Sequence, residues 1–268
     1  MNTEKPGYAH GLLSHRRVGE RERLRLLAEV CDPTTQHIIE HLTLPKRARC
    51  LELGAGDGSI AAWLTQHRPG GHIVATDIDT GFLTTRTWPS PVTVYQHDLV
   101  REGFPRAAYD LVHARALLTH LPQPEQITAR LCTWLTPGGW LVIEDPTYLP
   151  LGASPHPEFA SLLHGCERLL ARTQGTDHTW ANRIAATMID CGLTEVRMTV
   201  RTAVCGNGDP EDDFWRSCFN QAAPALIDQG LLTESEVDGG LHLMQRPGFR
   251  DIAWLFISCW GRRSTTAH

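Results

Sequence analysis

No run of about 18 apolar residues occurs anywhere in the 268-residue chain, so no membrane-spanning helix is expected. The first thirty residues are polar and charged and lack an apolar h-region, so a secretory signal is not expected either. None of the eight cysteines (Cys31, Cys50, Cys132, Cys166, Cys191, Cys205, Cys218 and Cys259) stands in a CxxC pair, and several lie inside apolar runs. That usage fits small buried side chains and reduced thiols of a cytoplasmic protein. Basic charge is short as well. Lys and Arg number 25 against 30 Asp and Glu, a formal net charge of −5. Nucleic-acid binders usually carry a basic face, so no such partner is expected. Neither an internal repeat nor a low-complexity tract is present.

What is present is enough apolar matter, 41% of residues, to bury one sizeable core or a core plus a cap. Residues 1–19 read as a flexible arm. Leu24, Leu27, Ala28 and Cys31 follow helical spacing, and Asp32-Pro33 reads as the N-cap and first residue of a second helix ending near Leu42. Beyond Pro45 short apolar runs alternate with helical stretches. The runs cover residues 50–53, 73–78, 92–95, 111–114 and 140–143. Helices are expected from near Gly58, Thr80 and Pro122, the last stopped by Thr136-Pro137-Gly138-Gly139. Repeated strand–helix units predict a parallel sheet with helices on both faces.

In the last third, Trp180, Ile184, Met188 and Ile189 suit a helix ending at Cys191-Gly192. Val196, Met198, Val200, Thr202 and Val204 alternate with polar residues, as in a half-buried strand. Asp209-Pro210 opens another helix, Thr233 with Glu236 forms a capping box for the next, and residues 252–260 read as a closing strand. Residues 147–178 and 207–248 are expected to form a cap over the sheet's carboxyl edge. The chain is counted as one domain over 1–268: an arm and helices (1–45), a cofactor-binding core (46–146), and a stretch completing the sheet and carrying the cap (147–268).

The informative stretch is Leu51-Glu52-Leu53-Gly54-Ala55-Gly56-Asp57-Gly58-Ser59-Ile60. An apolar strand runs into three alternate glycines, which allow a tight turn and close approach of a ligand to the main chain. A dinucleotide fingerprint needs a glycine where Ser59 stands, which argues against a nicotinamide oxidoreductase. Asp77 ends the second expected strand, nineteen residues after Gly58, where an acid can accept from ribose hydroxyls. Gln96-His97-Asp98-Leu99 follows the third strand. Tyr109-Asp110-Leu111-Val112-His113-Ala114 and His120-Leu121-Pro122 come next.

This order of motifs over roughly residues 20–146 resembles class I S-adenosylmethionine-dependent methyltransferases, notably the small-molecule enzymes of actinomycete natural-product pathways. The resemblance implies an α/β, Rossmann-like fold: a mostly parallel seven-stranded sheet with helices on both faces and a helical cap. It implies S-adenosyl-L-methionine as cofactor and a small-molecule substrate, with the oligomeric state open between monomer and homodimer. It also implies roles. Glu52 would bind the methionine ammonium through water. Gly54, Gly56 and Gly58 would line the amino acid and ribose. Asp77 would hold the ribose diol, with Ile78 against the adenine. Asp98 would accept from the adenine amino group and Leu99 donate from its backbone. Ala114 would face the sulfonium, and Tyr8, on a segment that folds over the cofactor in similar enzymes, would touch it. Other functions consistent with the motifs are methylation of a peptide or RNA, and binding of the cofactor without catalysis.

Methyl transfer is an in-line displacement from an activated sulfonium, so the protein must align the nucleophile, exclude water and, where needed, take a proton. His120 is the catalytic candidate. It follows the fourth strand at the edge where open α/β sheets bind ligands, and imidazole titrates near neutrality. Glu144 and Asp145, ending the fifth strand, are candidates for a substrate amine or hydroxyl. The aromatics Phe214, Trp215, Phe219, Trp254, Phe256 and Trp260 read mainly as core. His37-Ile38-Ile39-Glu40-His41 matches the H-x-x-E-H zinc-peptidase pattern. Its expected helix is short and no third ligand can be named, so no metal is expected.

Overall fold

The computed structural model describes residues 11–68, 70–90, 92–148 and 154–265. Its elements, in chain order, are α1 (Glu20–Glu40), β1 (Arg49–Leu53), α2 (Ser59–His67), β2 (His72–Asp77), α3 (Gly81–Thr84), β3 (Val92–Gln96), β4 (Tyr109–Arg115), α4 (Pro124–Trp134), β5 (Leu135–Thr147), α5 (Pro157–Gln174), α6 (Ile184–Asp190), β6 (Leu193–Cys205), α7 (Pro210–Asp228), α8 (Glu234–Leu243) and β7 (Asp251–Arg263). Short 3-10 turns cover Leu118–His120 and Trp180–Arg183. The chain divides into two compact units.

The first unit comprises Cys31–Pro146, Thr179–Val200 and the chain after Phe256. It carries most of the seven-stranded sheet, whose order is β3-β2-β1-β4-β5-β7-β6; the last part of β6 and the first part of β7 belong to the second unit. The pairings of β1 with β2 and β4, of β2 with β3 and of β4 with β5 are all parallel. β6 and β7 run antiparallel: the Thr194 hydroxyl bonds the Arg262 carbonyl, and Gly206 lies against the Phe249 carbonyl. Cys50, Leu51 and Leu53 of β1 are all fully buried, as expected of a central parallel strand covered on both faces. One face packs Leu51, Leu53, Val112 and Ile143 against α4, α6 and Trp180. The other packs Cys50, Leu111 and Val142 against Ile38 and Ile39 of α1 and Ile60 and Leu64 of α2.

The second unit comprises the chain before Cys31, Thr147–His178 and Arg201–Phe256. It packs α5, α7 and α8 around Phe159, Phe219 and Phe249. The predicted capping box is present: Thr233 accepts from the Glu236 N–H, and Glu236 reaches back to the Thr233 N–H. All eight cysteines are free thiols.

Several local expectations are corrected. Residues 11–19 are tied down, with Ser14 and His15 buried and Gln221 bonded to the Leu12 carbonyl. The two expected helices are one, α1, with Pro33 inside it. Asp32 serves as no cap; its carboxylate takes the Arg115 guanidinium and the Ser59 hydroxyl, and this tertiary pairing outweighs the local stop signal. α3 has only four residues. β5 begins at Leu135, and its pairing with β4 jumps from Tyr109–Leu135 to Leu111–Trp140, so the Pro-Gly-Gly stretch is an excursion at the strand's start. β6 is the sheet's edge. A positive φ at Glu195 breaks its alternation, and Met198 and Val200 are exposed rather than inward-facing.

Candidate functional site

The strand register brings the carboxyl ends of β1 to β4 to one edge. Leu53 pairs with Thr76 and Ala114, Asp77 with Gln96, and Arg115 with Glu144. The strand order reverses direction at β1 and β4, the switch point where open α/β sheets take ligands. The loops from Gly54, Ile78, His97 and Ala116 all start there.

The glycine turn after β1 is left-handed at Gly54, Gly56 and Gly58, with φ of 61°, 57° and 84°. Side chains could not be added cheaply. A Cβ on Gly58 would stand 2.6 Å from the Trp88 ring, and one on Gly54 would stand 2.9 Å from Leu117. The turn is tied to β2 at two points. Ala55 N–H donates to the Thr76 carbonyl at 2.8 Å, and Gly56 N–H donates to Oδ2 of Asp77 at 2.9 Å. The other Asp77 oxygen takes the Asp79 N–H at 3.0 Å. These two backbone donors, one on each oxygen, fix the orientation of the Asp77 carboxylate at the end of β2.

Ile78 is exposed, its carbonyl held by the Gln96 amide at 3.0 Å. Asp98 caps its own turn, accepting the Val100 N–H at 2.9 Å and pairing with Arg101. The Leu99 side chain is buried, while its N–H has no partner among the described residues. Ala114 is buried among Leu53, Leu118 and Ile143. The partly exposed positions after it are Arg115, Ala116, at φ 50°, and Leu117. Tyr8 lies outside the described residues.

Beneath the turn runs a buried polar network that strand patterning did not suggest. Glu52 and His113 sit opposite each other on β1 and β4, and Nδ1 of His113 lies 2.7 Å from Oε2 of Glu52. Nε2 of the same ring lies 3.0 Å from Oε2 of Glu144. Thr35 and Ser258 both donate hydroxyls to Glu144, and Arg115 donates to Thr35 and Asp32. Burial opposes a charge on His113, but Glu52 and the hydrogen bond to Glu144 prevail and its pKa rises to about 9. Burial likewise opposes the Glu144 charge, and the bond to His113 holds that carboxyl below its ordinary value. The available signal was three polar residues at inward positions of otherwise apolar strands.

Asp145 faces the opposite side of the sheet and is fully buried. It accepts from the Leu117 and Thr119 backbones and from the Trp180 indole. Burial nevertheless pushes its pKa up to about 8. Through Leu117 and Thr119 it fixes the turn that ends at His120, which is partly exposed at the same sheet edge. Glu144 and Asp145 are thus structural partners inside β5 rather than groups reaching out from its end.

His37 and His41 share a face of α1 with ring centroids 4.3 Å apart, and Nδ1 of His41 bonds the His37 carbonyl. No cluster of three or more His, Cys, Asp or Glu side chains suited to a metal occurs among the described residues.

Seven strands in this order, a glycine turn after the first and an acid ending the second define the Rossmann-like fold of class I methyltransferases. The chain belongs to the methyltransferase-domain family, whose profile matches residues 21–185. That family is one of methyltransferase domains. It is similar to methyltransferase str3 of Strobilurus tenacellus, 30% identical over 114 residues, covering 42% of this chain and 40% of that one. Similarity to trans-aconitate 2-methyltransferase of Variovorax paradoxus (strain S110) is 31% over 112 residues, covering 41% and 43%. The matches thus span about two-fifths of these relatives. Among solved structures, Haemonchus contortus phosphoethanolamine N-methyltransferase 2, in complex with phosphomonomethylethanolamine and S-adenosylhomocysteine, superposes with a TM-score of 0.57. It is 13% identical, with 87% of this chain and 52% of that chain covered. The cyclase SpnF superposes at 0.54 with 14% identity, covering 88% and 81%. At such identities only the fold is shared, and function has to be argued from the site.

Proposed function

We propose that this chain transfers a methyl group from S-adenosylmethionine to a small-molecule acceptor in secondary metabolism. The observation that carries the reading is the Asp77 carboxylate, locked by the Gly56 and Asp79 amides beside a left-handed glycine turn. That arrangement presents backbone and an oriented acceptor pair to a ribose. Glu52 would hold the amino end of the cofactor, Ile78 and the Leu99 amide its adenine, with Asp98 next to them. The cofactor supplies an activated methyl sulfonium. The chain has to orient the acceptor, exclude water and, at His120, take the proton that a hydroxyl or carbon acid gives up.

Trans-aconitate, the substrate named for the Variovorax paradoxus relative, supports a small acceptor over a peptide or RNA, as does the acidic charge balance. The resemblance to natural-product enzymes supports the metabolic setting. A cytoplasmic location fits the free thiols. No helix among the described residues is long and apolar enough to cross a membrane. Calorimetry with S-adenosylhomocysteine and with NADH tests the reading: micromolar or tighter binding of the first and none of the second is expected. A folded protein that ignores S-adenosylhomocysteine rejects it. Binding without turnover on any small acceptor would favour a binding-only protein.

A further inference from the structure

We propose that His113 is a positioning residue: it grips one carboxylate oxygen of Glu52 so that the other is presented to the cationic amine of the cofactor. The proposal rests on the cofactor reading given above. Its starting point is a matter of donors and acceptors. The His113 ring has a carboxylate oxygen at each nitrogen, Glu52 Oε2 at 2.7 Å and Glu144 Oε2 at 3.0 Å. Ionised carboxylates only accept, so the ring must donate from both nitrogens, which makes it an imidazolium.

The two carboxylates are not equivalent. Glu144 is satisfied on both oxygens by Thr35, Ser258 and His113. Glu52 has one committed oxygen, Oε2. Its Oε1 has no partner among the described residues and keeps contact with solvent, although the residue is only 4% exposed. A buried acceptor with a vacant side is costly unless a donor arrives, and a cationic donor suits it best. Glu52 stands two residues before Gly54, at the start of the glycine turn.

The charged groups around the ring come from every element near it. Glu52 lies on β1, Arg115 on β4, Glu144 on β5 and Asp32 on α1, while Asp145 of β5 faces the other side of the sheet. With His113 charged, the trio of Glu52, His113 and Glu144 has one negative charge left over. Thr35 links Glu144 to Arg115, whose guanidinium is paired with Asp32. The surplus therefore lies on Glu52, on the oxygen with no partner. Neither a neutral glutamine nor a freely rotating glutamate would present it in this way. His113 thus couples the core of the sheet to the amino end of the ligand without touching the ligand.

The test compares S-adenosylhomocysteine with its analogue lacking the α-amine, by calorimetry on the full chain. In His113→Phe the affinity for S-adenosylhomocysteine should fall tenfold or more, while that for the deaminated analogue changes less than twofold. His113→Asn places an amide donor near the Nδ1 position, and should restore affinity to within about threefold of wild type. Equal weakening of both ligands, or of neither, overturns the role of His113 and leaves the cofactor reading standing. A wild-type protein that binds neither ligand overturns the cofactor reading, and this proposal with it. Nitrogen-15 spectra of histidine in the wild type give a test that needs no variant. Both ring nitrogens of His113 should be protonated at pH 7.5, and their signals should move on adding S-adenosylhomocysteine and not the analogue. A neutral tautomer, or an equal response to both ligands, overturns the proposal.

Discussion

Trp180 donates its indole N–H to Oδ2 of Asp145 at 3.0 Å, while Oδ1 of the same carboxyl takes the Leu117 N–H at 3.0 Å. One buried acid thus joins the 3-10 turn Trp180–Arg183, just before α6, to the turn after β4. Its pKa, raised by burial to about 8, has a consequence for stability. A folded-state pKa above the unfolded value of about 3.9 means that the folded chain keeps a proton the unfolded chain has lost. The stabilisation is complete below the unfolded pKa and is lost as pH rises through about 8. His113 has the same sign, but its loss falls between its unfolded pKa of about 6.5 and its folded value of about 9. The low pKa of Glu144 acts on the acid side. Between pH 5 and 6, Asp145 is therefore the one of these three groups that titrates differently on folding. Urea midpoints of wild type should fall over that interval, by up to about 1.4 kcal/mol per pH unit in free energy. Asp145→Asn should remove that slope and also lower stability by about 1–3 kcal/mol, since an amide N–H would oppose one of the donors. Identical slopes in the two proteins would show that Asp145 does not titrate as described.

Gly58 should tolerate no side chain. Its φ of 84° costs an L-residue about 1–2 kcal/mol, and an added methyl would collide with Trp88. Gly58→Ala should lower the urea midpoint and weaken S-adenosylhomocysteine together, because the turn must open to admit the methyl group. Pairing it with Trp88→Ala removes the closer collision but leaves Leu83 3.0 Å from the added methyl and the backbone strain in place, so recovery should be partial. Full recovery would mean that neither the Leu83 contact nor strain at φ matters here. An unchanged midpoint in the single variant would mean that the turn is not held as described.

How much of this was legible in the sequence depends on the range of the interaction. The glycine turn, Asp77 and the parallel strands were readable because each is signalled within about twenty residues, by glycine spacing, apolar runs and intervening helices. The capping box of α8 was readable for the same reason. The Glu52–His113–Glu144 network was not, because its bonds span 61 and 31 residues and need the strand order before they can be seen. α1 was misread at Asp32-Pro33 because a local stop signal was overridden by a partner 83 residues away, Arg115. In β6 the alternation was real in sequence but carried no information about burial, since an edge strand has a neighbour on one side only. Ala114 is buried in the core with Val112, two residues before it on the same face of β4.

Asp77→Ala should separate the capping and binding roles of that residue. The substitution removes acceptors for the Gly56 and Asp79 amides as well as for a ribose diol. Charge-assisted hydrogen bonds are worth about 1.5–3 kcal/mol each. Cofactor affinity should therefore fall by roughly tenfold or more in calorimetry. Asp77→Asn keeps one acceptor and should fall between alanine and wild type. A dissociation constant unchanged in both variants would reduce Asp77 to a turn cap.

His120 closes the 3-10 turn Leu118–His120, whose backbone is fixed by Asp145 at Leu117 and Thr119. We propose that this anchored turn holds His120 for the reaction. If it removes a proton, the acceptor is a hydroxyl or a carbon acid, since a neutral amine offers its own lone pair. His120→Ala should then cut turnover by about 10²–10⁴ and leave S-adenosylhomocysteine binding nearly intact. His120→Gln preserves a hydrogen-bonding side chain of similar reach but has no base, so it should be as slow as alanine. Recovery of activity in the glutamine variant would assign His120 to orientation, with proximity carrying the catalysis. The two readings also differ in pH dependence. A base gives kcat/KM an acidic limb that vanishes in both variants, whereas an orienting residue leaves the profile's shape unchanged and lowers only its height. Turnover that neither substitution alters would remove His120 from the reaction.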